Sequence, residues 1–316
     1  MRKIKSPTTI WFVIGFIAVL LAAPNGTIIK SVMSDLGPEL FNVLRFGIIV
    51  LVTLPFVLGA WKRFTRKNLR YALLMGVCMA ASVISYVMAV DRSQASYVAI
   101  IELLMPIIFI FYSMILMKEK ISRRAAAGIT LAALGAFIVI VVPIAFANQP
   151  EAFVIDPLAT VMVLVNCLTF PLGIIFSRKA HEAGLPLMTT FGVSSLVVFF
   201  ACLVMALMWA NWSDISGVIQ SPQVTMIVLY SALITSLLVR VMNVAVYQRV
   251  GSAAQGGFAY SESILAIIIP IFILGEQLSI EIVIGMALIL SGLFVIESHH
   301  NWKHRRHLHG HGVTHR

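Results

Sequence analysis

Residues 116–139 read LMKEKISRRAAAGITLAALGAFIV, and residues 274–296 read LGEQLSIEIVIGMALILSGLFVI. The two stretches match at a spacing of 157 residues, and the shared positions are Glu119 with Glu276, Ser122 with Ser279, Gly128 with Gly285, and Gly135 with Gly292. Near the start of each half, Pro24 aligns with Pro171 at a spacing of 147 residues. The pattern predicts two related units, residues 1–147 and 148–298, followed by a tail, residues 299–316.

The composition indicates what kind of units these are. The 316 residues are 60% hydrophobic and 11% charged, with a mean hydropathy of +0.97. Soluble domains contain about 25% charged residues, so this chain lacks the polar surface of a soluble globule. About 20 apolar residues cross a bilayer, and they do so as a helix because lipid offers the backbone no hydrogen bonds. The sequence predicts an all-α integral membrane protein with ten transmembrane helices: Ile10–Ile29, Leu40–Ala60, Leu69–Val90, Ala95–Met117, Ala125–Ala147, Pro157–Phe176, Leu187–Trp209, Val224–Tyr247, Ala253–Leu274 and Ile280–Ile296.

The Lys and Arg residues predict how the chain crosses the membrane. With a cytoplasmic N-terminus, nineteen of the 23 fall on the inner side, Lys30 and Arg92 fall on the outer side, and Arg45 and Arg240 fall inside segments. This bias follows the positive-inside rule, and it explains the net charge of +10 without a nucleic-acid partner. We expect a multi-pass protein of the bacterial inner membrane, monomeric or homodimeric, with both termini in the cytoplasm.

The number of segments in each unit predicts an inverted repeat. Five is odd, so the second unit enters the membrane upside down relative to the first. The loops agree, because KEKISRR is basic on the inner side and GEQLSIE is acidic on the outer side. Inverted repeats suit alternating access, in which two like but opposed units open a central site to one side and then to the other. Small residues let helices approach closely, so the glycines spaced seven apart predict that segments 5 and 10 serve in helix packing and not in substrate binding.

The sequence shows no signature of catalysis. It lacks HExxH, GxSxG and the nucleotide-binding pattern GxxxxGK[ST], and its three cysteines have no metal-ligand spacing. We therefore expect no enzyme activity, no metal and no cofactor. A membrane scaffold or a receptor is the alternative outside transport.

With these features, the sequence resembles the EamA-type members of the drug/metabolite transporter superfamily. The resemblance lies in the duplicated five-helix unit, in the KEKIS and GEQLS turns with the helices that follow them, and in LFNVLRFGIIVL, residues 40–51. It implies ten helices, cytoplasmic termini and a central cavity lined by segments 1, 3, 4, 6, 8 and 9. It also implies secondary transport of small metabolites, often amino acid export. Such proteins often carry Glu-Pro in the ninth segment, where this chain has Glu262–Ser263 and Pro270 two turns later.

Four ionisable residues lie well inside the predicted segments: Arg45, Glu102, Arg240 and Glu262. A charge in lipid is costly, so each should face a cavity or a partner. At 1.5 Å per residue, Arg45 and Glu102 fall about 8–10 Å below the outer boundary, whereas Arg240 and Glu262 fall about 10–13 Å above the inner one. We predict an outer Arg45–Glu102 pair and an inner Arg240–Glu262 pair that act as gates. A purely structural role is the alternative for each pair.

These charges also bear on coupling and on the substrate. A glutamate can exchange a proton in a buried site, whereas arginine stays charged, so Glu102 and Glu262 are candidates for proton coupling. An arginine fork can hold a substrate carboxylate and a glutamate can hold its amine, which suits a zwitterion. Further candidates for substrate binding are polar residues that are equally typical of interhelical contacts: Asn25, Tyr86, Asn166, Asn243, Gln255 and Tyr260.

Two short motifs predict breaks inside helices. PNG at residues 24–26 and PLG at residues 171–173 can free backbone groups in mid-membrane. A broken helix of this kind can coordinate substrate, and the alternative is a kink that rocking requires.

The sequence thus predicts a secondary active transporter of small polar metabolites that works by alternating access, with amino acid export as the first activity. The alternative within transport is an importer or exchanger of a larger solute, such as a nucleotide-linked or vitamin-like metabolite. The tail SHHNWKHRRHLHGHGVTHR holds seven of the eight histidines. Metal binding is one interpretation of this tail, and a disordered basic tail near anionic lipid is the favoured one.

Overall fold

In a computed structural model of the chain, the described residues are 8–117, 123–145, 156–215, 221–250, 252–276, 278 and 280–309. All regular secondary structure in these ranges is helical, as predicted. The first part of the chain forms α1 (Thr8–Ala22), α2 (Asn25–Lys30), α3 (Pro38–Gly59), a 3₁₀ turn (Trp61–Arg63), α4 (Arg66–Arg92), α5 (Ala95–Glu102), α6 (Met105–Met117) and α7 (Arg123–Ala145).

The second part of the chain is also helical in the described residues. It forms α8 (Pro157–Glu182), α9 (Leu187–Trp209), a 3₁₀ turn (Trp212–Asp214), α10 (Pro222–Leu229), a π-helical segment (Tyr230–Leu238), α11 (Val239–Val250), α12 (Ser252–Leu274) and α13 (Ile280–His309). Proline marks the start of several of these helices. Pro38, Pro157 and Pro222 stand in the first turn of a helix, where a missing N–H costs nothing.

Within the described residues, six helices are long and apolar enough to cross a membrane: Thr9–Lys30, Pro38–Gly59, Arg66–Arg92, Pro157–Glu182, Leu187–Trp209 and Pro222–Asn243. Shorter apolar helices span Ala126–Val139, Ser261–Leu274 and Ile280–Gly292. Large apolar side chains such as Leu51, Leu207 and Phe272 point outward, as lipid-facing residues do. The all-helical prediction is confirmed in these ranges, and the count of ten spans stays a prediction.

Two predicted segments are interrupted. The predicted break at Pro24 is confirmed, because α1 ends at Ala22 and α2 begins at Asn25. The fourth segment is also split, which was not predicted. Leu103 and Leu104 donate their N–H groups to carbonyls three residues back, so the chain tightens between α5 and α6.

Two proline positions behave differently from the first break. The predicted break at Pro171 is wrong, because α8 runs through it without interruption. Close packing supports α8 there: a Cβ on Gly173 would lie 2.6 Å from Met79 Cε of α4. α12 likewise continues through Pro270.

The helices α4 and α8 lie side by side and antiparallel. At one end, the Arg92 guanidinium is 3.4 Å from the Asp156 carboxylate, and at the other, Asn68 Nδ2 donates to the Ala183 carbonyl over 3.5 Å. Asp156 also caps α8 by accepting the Leu158 N–H, and this hydrogen bond is the main cause that lowers its pKa. The contacts define two ends of the molecule.

The helices α7 and α13, which are segments 5 and 10, were predicted to serve in packing, and in the structure they pack against each other at their glycines. A Cβ on Gly135 would lie 2.5 Å from the Gly285 carbonyl oxygen, and a Cβ on Gly292 would collide with the Gly128 carbonyl oxygen. The order of these contacts makes the two helices antiparallel. Any larger residue would separate their backbones.

A third contact closes one end of the molecule. The Glu276 carboxylate, just beyond α12, accepts the N–H groups of Ala95 and Ser96 at 2.8 Å and the Ser96 hydroxyl at 2.5 Å. It thereby caps α5, whose first N–H groups have no partner within the helix. The ends of α12 and α5 are joined by this carboxylate.

The last helix extends into the tail. Residues 299–309 continue α13, and the placement of this basic tail near anionic lipid stays a prediction. No proline or glycine occurs between Ile296 and His309 to end the helix. Residues 310–316 lie outside the described residues.

Candidate functional site

A polar cluster lies where the break in the first segment meets the π-helical segment. Asn25 Oδ1, at the start of α2, accepts hydrogen bonds from the hydroxyls of Ser231 at 3.2 Å and Thr235 at 3.1 Å. Close by, the Tyr230 hydroxyl donates to the Leu21 carbonyl in the last turn of α1, at 2.5 Å. The broken helix is thus held by polar side chains of the second unit.

The π-helical segment is itself built around hydroxyl groups. Ser236 Oγ donates to the Ser231 carbonyl five residues back, at 2.7 Å, and the Val239 N–H donates to the Ile234 carbonyl. This wider turn places more residues on the inward side than an α-helix does. Such π segments inside helices often mark functional sites.

Arg45 of α3 binds to this segment. Its Nε and Nη2 donate to Ser236 Oγ at 3.1 and 2.7 Å, and its guanidinium carbon lies 5.7 Å from the centre of the Phe46 ring. The residue is 8% exposed. A single hydroxyl oxygen therefore accepts two of the five donor hydrogens of a buried guanidinium group.

Glu102 stands at the break between α5 and α6, and an amide orients it. Asn166 Nδ2 of α8 donates to Glu102 Oε1 at 2.7 Å, while Asn166 Oδ1 accepts the Ser82 hydroxyl of α4 at 2.6 Å. The chain Ser82–Asn166–Glu102 fixes which way the amide points. The carboxylate keeps further acceptor capacity for a ligand or a proton.

Tyr86 of α4 connects the charged groups. Its hydroxyl hydrogen-bonds with Asn25 and interacts electrostatically with Glu102, Arg45 and Glu262. It also lies 2.9 Å from the position that a Cβ on Gly26 would take. The Tyr86 hydroxyl is therefore the point at which the carboxylate and guanidinium sides of the cluster meet.

The two glutamates belong to one side of this cluster. Glu262 of α12 and Glu102 both contribute to the electrostatic surroundings of Tyr86. In the described part of the chain, neither carboxylate comes within 4.0 Å of a Lys or Arg nitrogen. Two acidic side chains of the cluster thus have no ion-pair partner among the described residues.

Arg240 occupies the other side. Its guanidinium carbon lies 4.8 Å from the centre of the Phe191 ring, and it lines a small pocket with Leu187, Met188, Phe191, Leu237 and Val241. A cation–π contact contributes about 0.5–2 kcal/mol, whereas an arginine in mid-membrane costs about 2.5–3.5 kcal/mol on insertion scales. The ring therefore offsets only part of the cost of this charge.

The comparisons with known proteins agree with this arrangement. The sequence pattern of the EamA-like transporter family matches residues 9–141 and again residues 157–298. The chain belongs to the EamA-like transporter family. The predicted resemblance is confirmed, and the family indicates a multi-pass, non-enzymatic membrane transporter.

A solved structure gives independent support for the fold of this EamA-like transporter. The structure, described as "Crystal structure of protein", has a TM-score of 0.50 and 15% sequence identity. The match covers 91% of this chain and 96% of that chain. At this identity the likeness concerns the fold alone. A search of curated proteins gives no match.

The gate pairs predicted for this transporter are not formed in this structure, and their role as gates stays a prediction. Among the described residues, neither Arg45–Glu102 nor Arg240–Glu262 is an ion pair. Instead, Glu102 accepts a hydrogen bond from Asn166, Arg45 donates to Ser236, and Arg240 lies over the Phe191 ring. Depth along each segment was predicted from residue count, and it did not specify which faces of the helices meet.

The other predicted site residues of the transporter have different outcomes. The structure brings Asn25, Tyr86 and Asn166 into the cluster. The Asn243 side chain has an interaction with another residue. Gln255 and Tyr260 lie on α12, and their side chains are outside the part of the chain that is described. No group of three metal-binding side chains occurs among the described residues.

Sequence reasoning missed the hydroxyl groups of the cluster. Ser231, Thr235 and Ser236 bind Asn25 and Arg45, and Ser82 orients Asn166. The available signal was their density, because YSALITSLLVR places four hydroxyl groups, including that of Tyr230, before an arginine in an apolar run. Ser and Thr hydroxyl groups often donate to carbonyls of their own helix, so a dense run of them does not by itself indicate a binding site.

Proposed function

We propose that this EamA-like transporter is a proton-coupled secondary transporter of a small polar metabolite, with amino acid export as its first activity. The observation that carries this proposal is Glu102, which stands at the break between α5 and α6, accepts a hydrogen bond from Asn166 at 2.7 Å and has no Lys or Arg nitrogen within 4.0 Å among the described residues. A carboxyl group inside a membrane that lacks a basic partner can bind and release a proton during a transport cycle. Binding and release of that proton is then linked to the conformation of the transporter.

The helix contacts support two inverted five-helix repeats. In sequence, Gly128 is equivalent to Gly285 and Gly135 is equivalent to Gly292. In space, Gly128 contacts Gly292 and Gly135 contacts Gly285, so each glycine contacts the equivalent of the other glycine on its own helix. This is the contact pattern of two like helices related by a two-fold axis in the membrane plane. The equivalent helices α3 and α9 also cross antiparallel, because Gly47 lies near Phe199 and Gly192 near Thr53 and Val57.

The contacts at one end support alternating access. Ser96 with Glu276, and Arg92 with Asp156, join the first unit to the second. Passage through this end requires such contacts to open, and the inverted repeat would then form the corresponding closure at the opposite end. We propose that this end faces outward in the bacterial inner membrane and that both termini are cytoplasmic.

The charges of the cluster favour a small zwitterion as cargo. Glu102 and Glu262 suit the amine of such a solute, and an arginine such as Arg45, which belongs to the same cluster, suits its carboxylate. Import or exchange of a larger solute is the alternative within transport. An exchanger differs from a proton-coupled exporter in requiring substrate on both sides of the membrane.

Flux measurements in proteoliposomes test the proposal. Purified protein would be supplied with pooled labelled L-amino acids, with and without an imposed pH gradient. We expect accumulation that depends on the gradient. The variants Glu102→Gln and Glu262→Gln should lose this accumulation by at least ten-fold but keep counterflow between equal pools, because exchange needs no net proton movement.

The matched control is Glu182→Gln, which removes an exposed carboxylate that pairs only with Arg178 on its own helix. This variant should transport as the unsubstituted protein does. Accumulation without a pH gradient, or Glu102→Gln and Glu262→Gln behaving like Glu182→Gln, would contradict proton coupling. Counterflow without any net accumulation would identify an exchanger, and the absence of flux for every solute would favour a scaffold or receptor.

A further inference from the structure

The short helix α5 belongs to the first unit, but hydrogen bonds tie both of its ends to the second unit. At its N-terminal end, the Glu276 carboxylate accepts the Ser96 N–H at 2.8 Å. At its C-terminal end, Asn166 Nδ2 donates to Glu102 Oε1 at 2.7 Å. The two ends of this eight-residue helix are about 10 Å apart, because an α-helix rises about 1.5 Å per residue. The helix thus connects one end of the molecule with the candidate site.

The surroundings of α5 make it a separate rigid element. Its residues Ala95–Ile101 are buried, and the hydroxyls of Tyr97 on α5 and Thr160 on α8 lie 2.9 Å apart. The extended residue Ser93 separates α5 from α4, and the tight turn after Glu102 separates it from α6. The chain can therefore bend on either side of α5, and a displacement of one end of this helix moves the other end.

We infer that Glu276 is a positioning residue that links the closure of this end of the molecule to the state of Glu102 through α5. While Glu276 caps α5, the helix holds Glu102 against Asn166. A solute that engages the Glu102 carboxylate competes with Asn166, loosens the hold of the second unit on α5 and so favours release at Glu276. Such a link is reciprocal, because each contact biases the same movement. The inference rests on the proposed function in taking Glu102 as part of the transport site.

The other contact between the units at this end is weaker than that of Glu276. Arg92 and Asp156 are 3.4 Å apart with side chains 45% and 26% exposed, so water and salt screen their attraction. The half-buried Glu276 instead accepts backbone N–H groups that have no partner within α5, together with the Ser96 hydroxyl. Hydrogen bonds to a charged group are about twice as strong as neutral ones. We therefore assign the closure of this end to Glu276.

Labelling of an introduced cysteine measures whether α5 leaves Glu276. The reporter is Ser93→Cys, because Ser93 directly precedes the start of α5, is 6% exposed and has a hydroxyl without a hydrogen-bond partner in the described part of the chain. Purified full-length protein in detergent micelles would be treated with a water-soluble maleimide, and the rate would be compared with that of denatured protein. The chain without the reporter gives the background of the three native cysteines.

The first comparison concerns the contact itself. Glu276→Gln should raise the labelling rate of the reporter about ten-fold, because its amide keeps only one acceptor oxygen and loses the charge. Ser96→Ala is the milder variant, since it removes only the hydroxyl contact, and it should raise the rate by a smaller factor. Asp156→Asn is the matched control: it changes a carboxylate to an amide at the same end and keeps a residue that caps helices well. Its labelling rate should be unchanged.

The second comparison tests the link through α5. Glu102→Gln should raise the labelling rate of the reporter about three-fold, because a neutral amide holds Asn166 more weakly than a carboxylate does. Glu182→Gln, an exposed carboxylate on α8, is the control and should have no effect. If Glu276 were only a cap of α5, Glu276→Gln would raise the rate and Glu102→Gln would not.

Three results would overturn the inference. They are an unchanged rate in Glu102→Gln, an unchanged rate in both Glu276→Gln and Ser96→Ala, and a rise in Asp156→Asn equal to that in Glu276→Gln. Because the readout involves no flux, it separates this inference from the proposed function. Proton-coupled transport with an unchanged rate in Glu102→Gln would refute only the link through α5, whereas linked labelling without flux would refute only the transport proposal.

Discussion

Arg45 illustrates how one charge is accommodated in an apolar helix. Ser236 Oγ accepts from both Nε and Nη2 of Arg45, and it passes its own hydrogen to the Ser231 carbonyl. The hydroxyl is thus a relay between a guanidinium group and the backbone of the π-helical segment. Its loss would leave two buried donor hydrogens without their acceptor.

Replacing Ser236 with alanine should therefore destabilise the protein measurably. We expect Ser236→Ala to lower the free energy of unfolding by about 1–2 kcal/mol, near the upper end for hydrogen bonds in membrane proteins. Ser291→Ala is the control, because the exposed Ser291 hydroxyl donates only to the Ala287 carbonyl of its own helix. Denaturation in mixed micelles would measure both, and equal losses in the two variants would show that the Arg45 contact is unimportant for stability.

At the scale of elements, the contact between α7 and α13 depends on the absence of side chains. A Cβ on Gly285 would lie 2.5 Å from Val139 Cγ2 and 2.8 Å from the Gly135 carbonyl oxygen. Neither neighbour can move easily, because one is a branched side chain and the other is backbone. The helices must separate to admit even a methyl group.

The substitution Gly285→Ala should cost about 1–3 kcal/mol of folding stability, because the strain of overpacking exceeds the gain in helix propensity. Gly59→Ala provides the matched control, since no atom lies within 4 Å of the position that its Cβ would take. That variant should be neutral or slightly stabilising. Apparent Tm in detergent would compare them, and a tolerant Gly285→Ala would mean that α7 and α13 are free to move apart.

At the scale of the whole molecule, the chain has two chemically different ends. One end is held by contacts of charged residues. Lys30 donates to the Asp91 carbonyl, Arg92 pairs with Asp156, and Glu276 accepts the Ala95 N–H. The opposite end carries the basic loop of residues 62–70 and the contact between Asn68 and Ala183. Lys and Arg are retained on the cytoplasmic side during insertion, so the second end is expected to be cytoplasmic.

Labelling of introduced cysteines would measure this orientation. Ser34, in the turn after α2, and Lys67, in the first turn of α4, are exposed and lie at opposite ends of the molecule. In right-side-out spheroplasts, a membrane-impermeant maleimide should label Ser34→Cys at once and Lys67→Cys only after permeabilisation. The unsubstituted chain, with its three native cysteines, gives the background. The reverse order of labelling would invert the proposed topology.

Much of this architecture was predictable because it depends on local chemistry. Hydropathy predicted the helices, Pro24 predicted the break between α1 and α2, and the spaced glycines predicted that α7 and α13 serve in packing, although not that they pack against each other. The break between α5 and α6 was missed, although Pro106 lies just beyond it and leaves the Glu102 carbonyl without its usual helical partner. The break predicted at Pro171 failed because packing against α4 supports α8 there.

By itself, the sequence determined that the protein is helical, that it belongs in a membrane, and that its two halves share one family pattern. These properties follow from composition and from spacing along the chain. Only the tertiary structure decided which partners the charged side chains meet. Arg45 and Glu102 have similar predicted depths, yet Arg45 binds Ser236, while Glu102 binds Asn166. Depth depends on residue number within one helix, whereas a side chain's partner depends on how that helix is rotated against neighbours more than a hundred residues away.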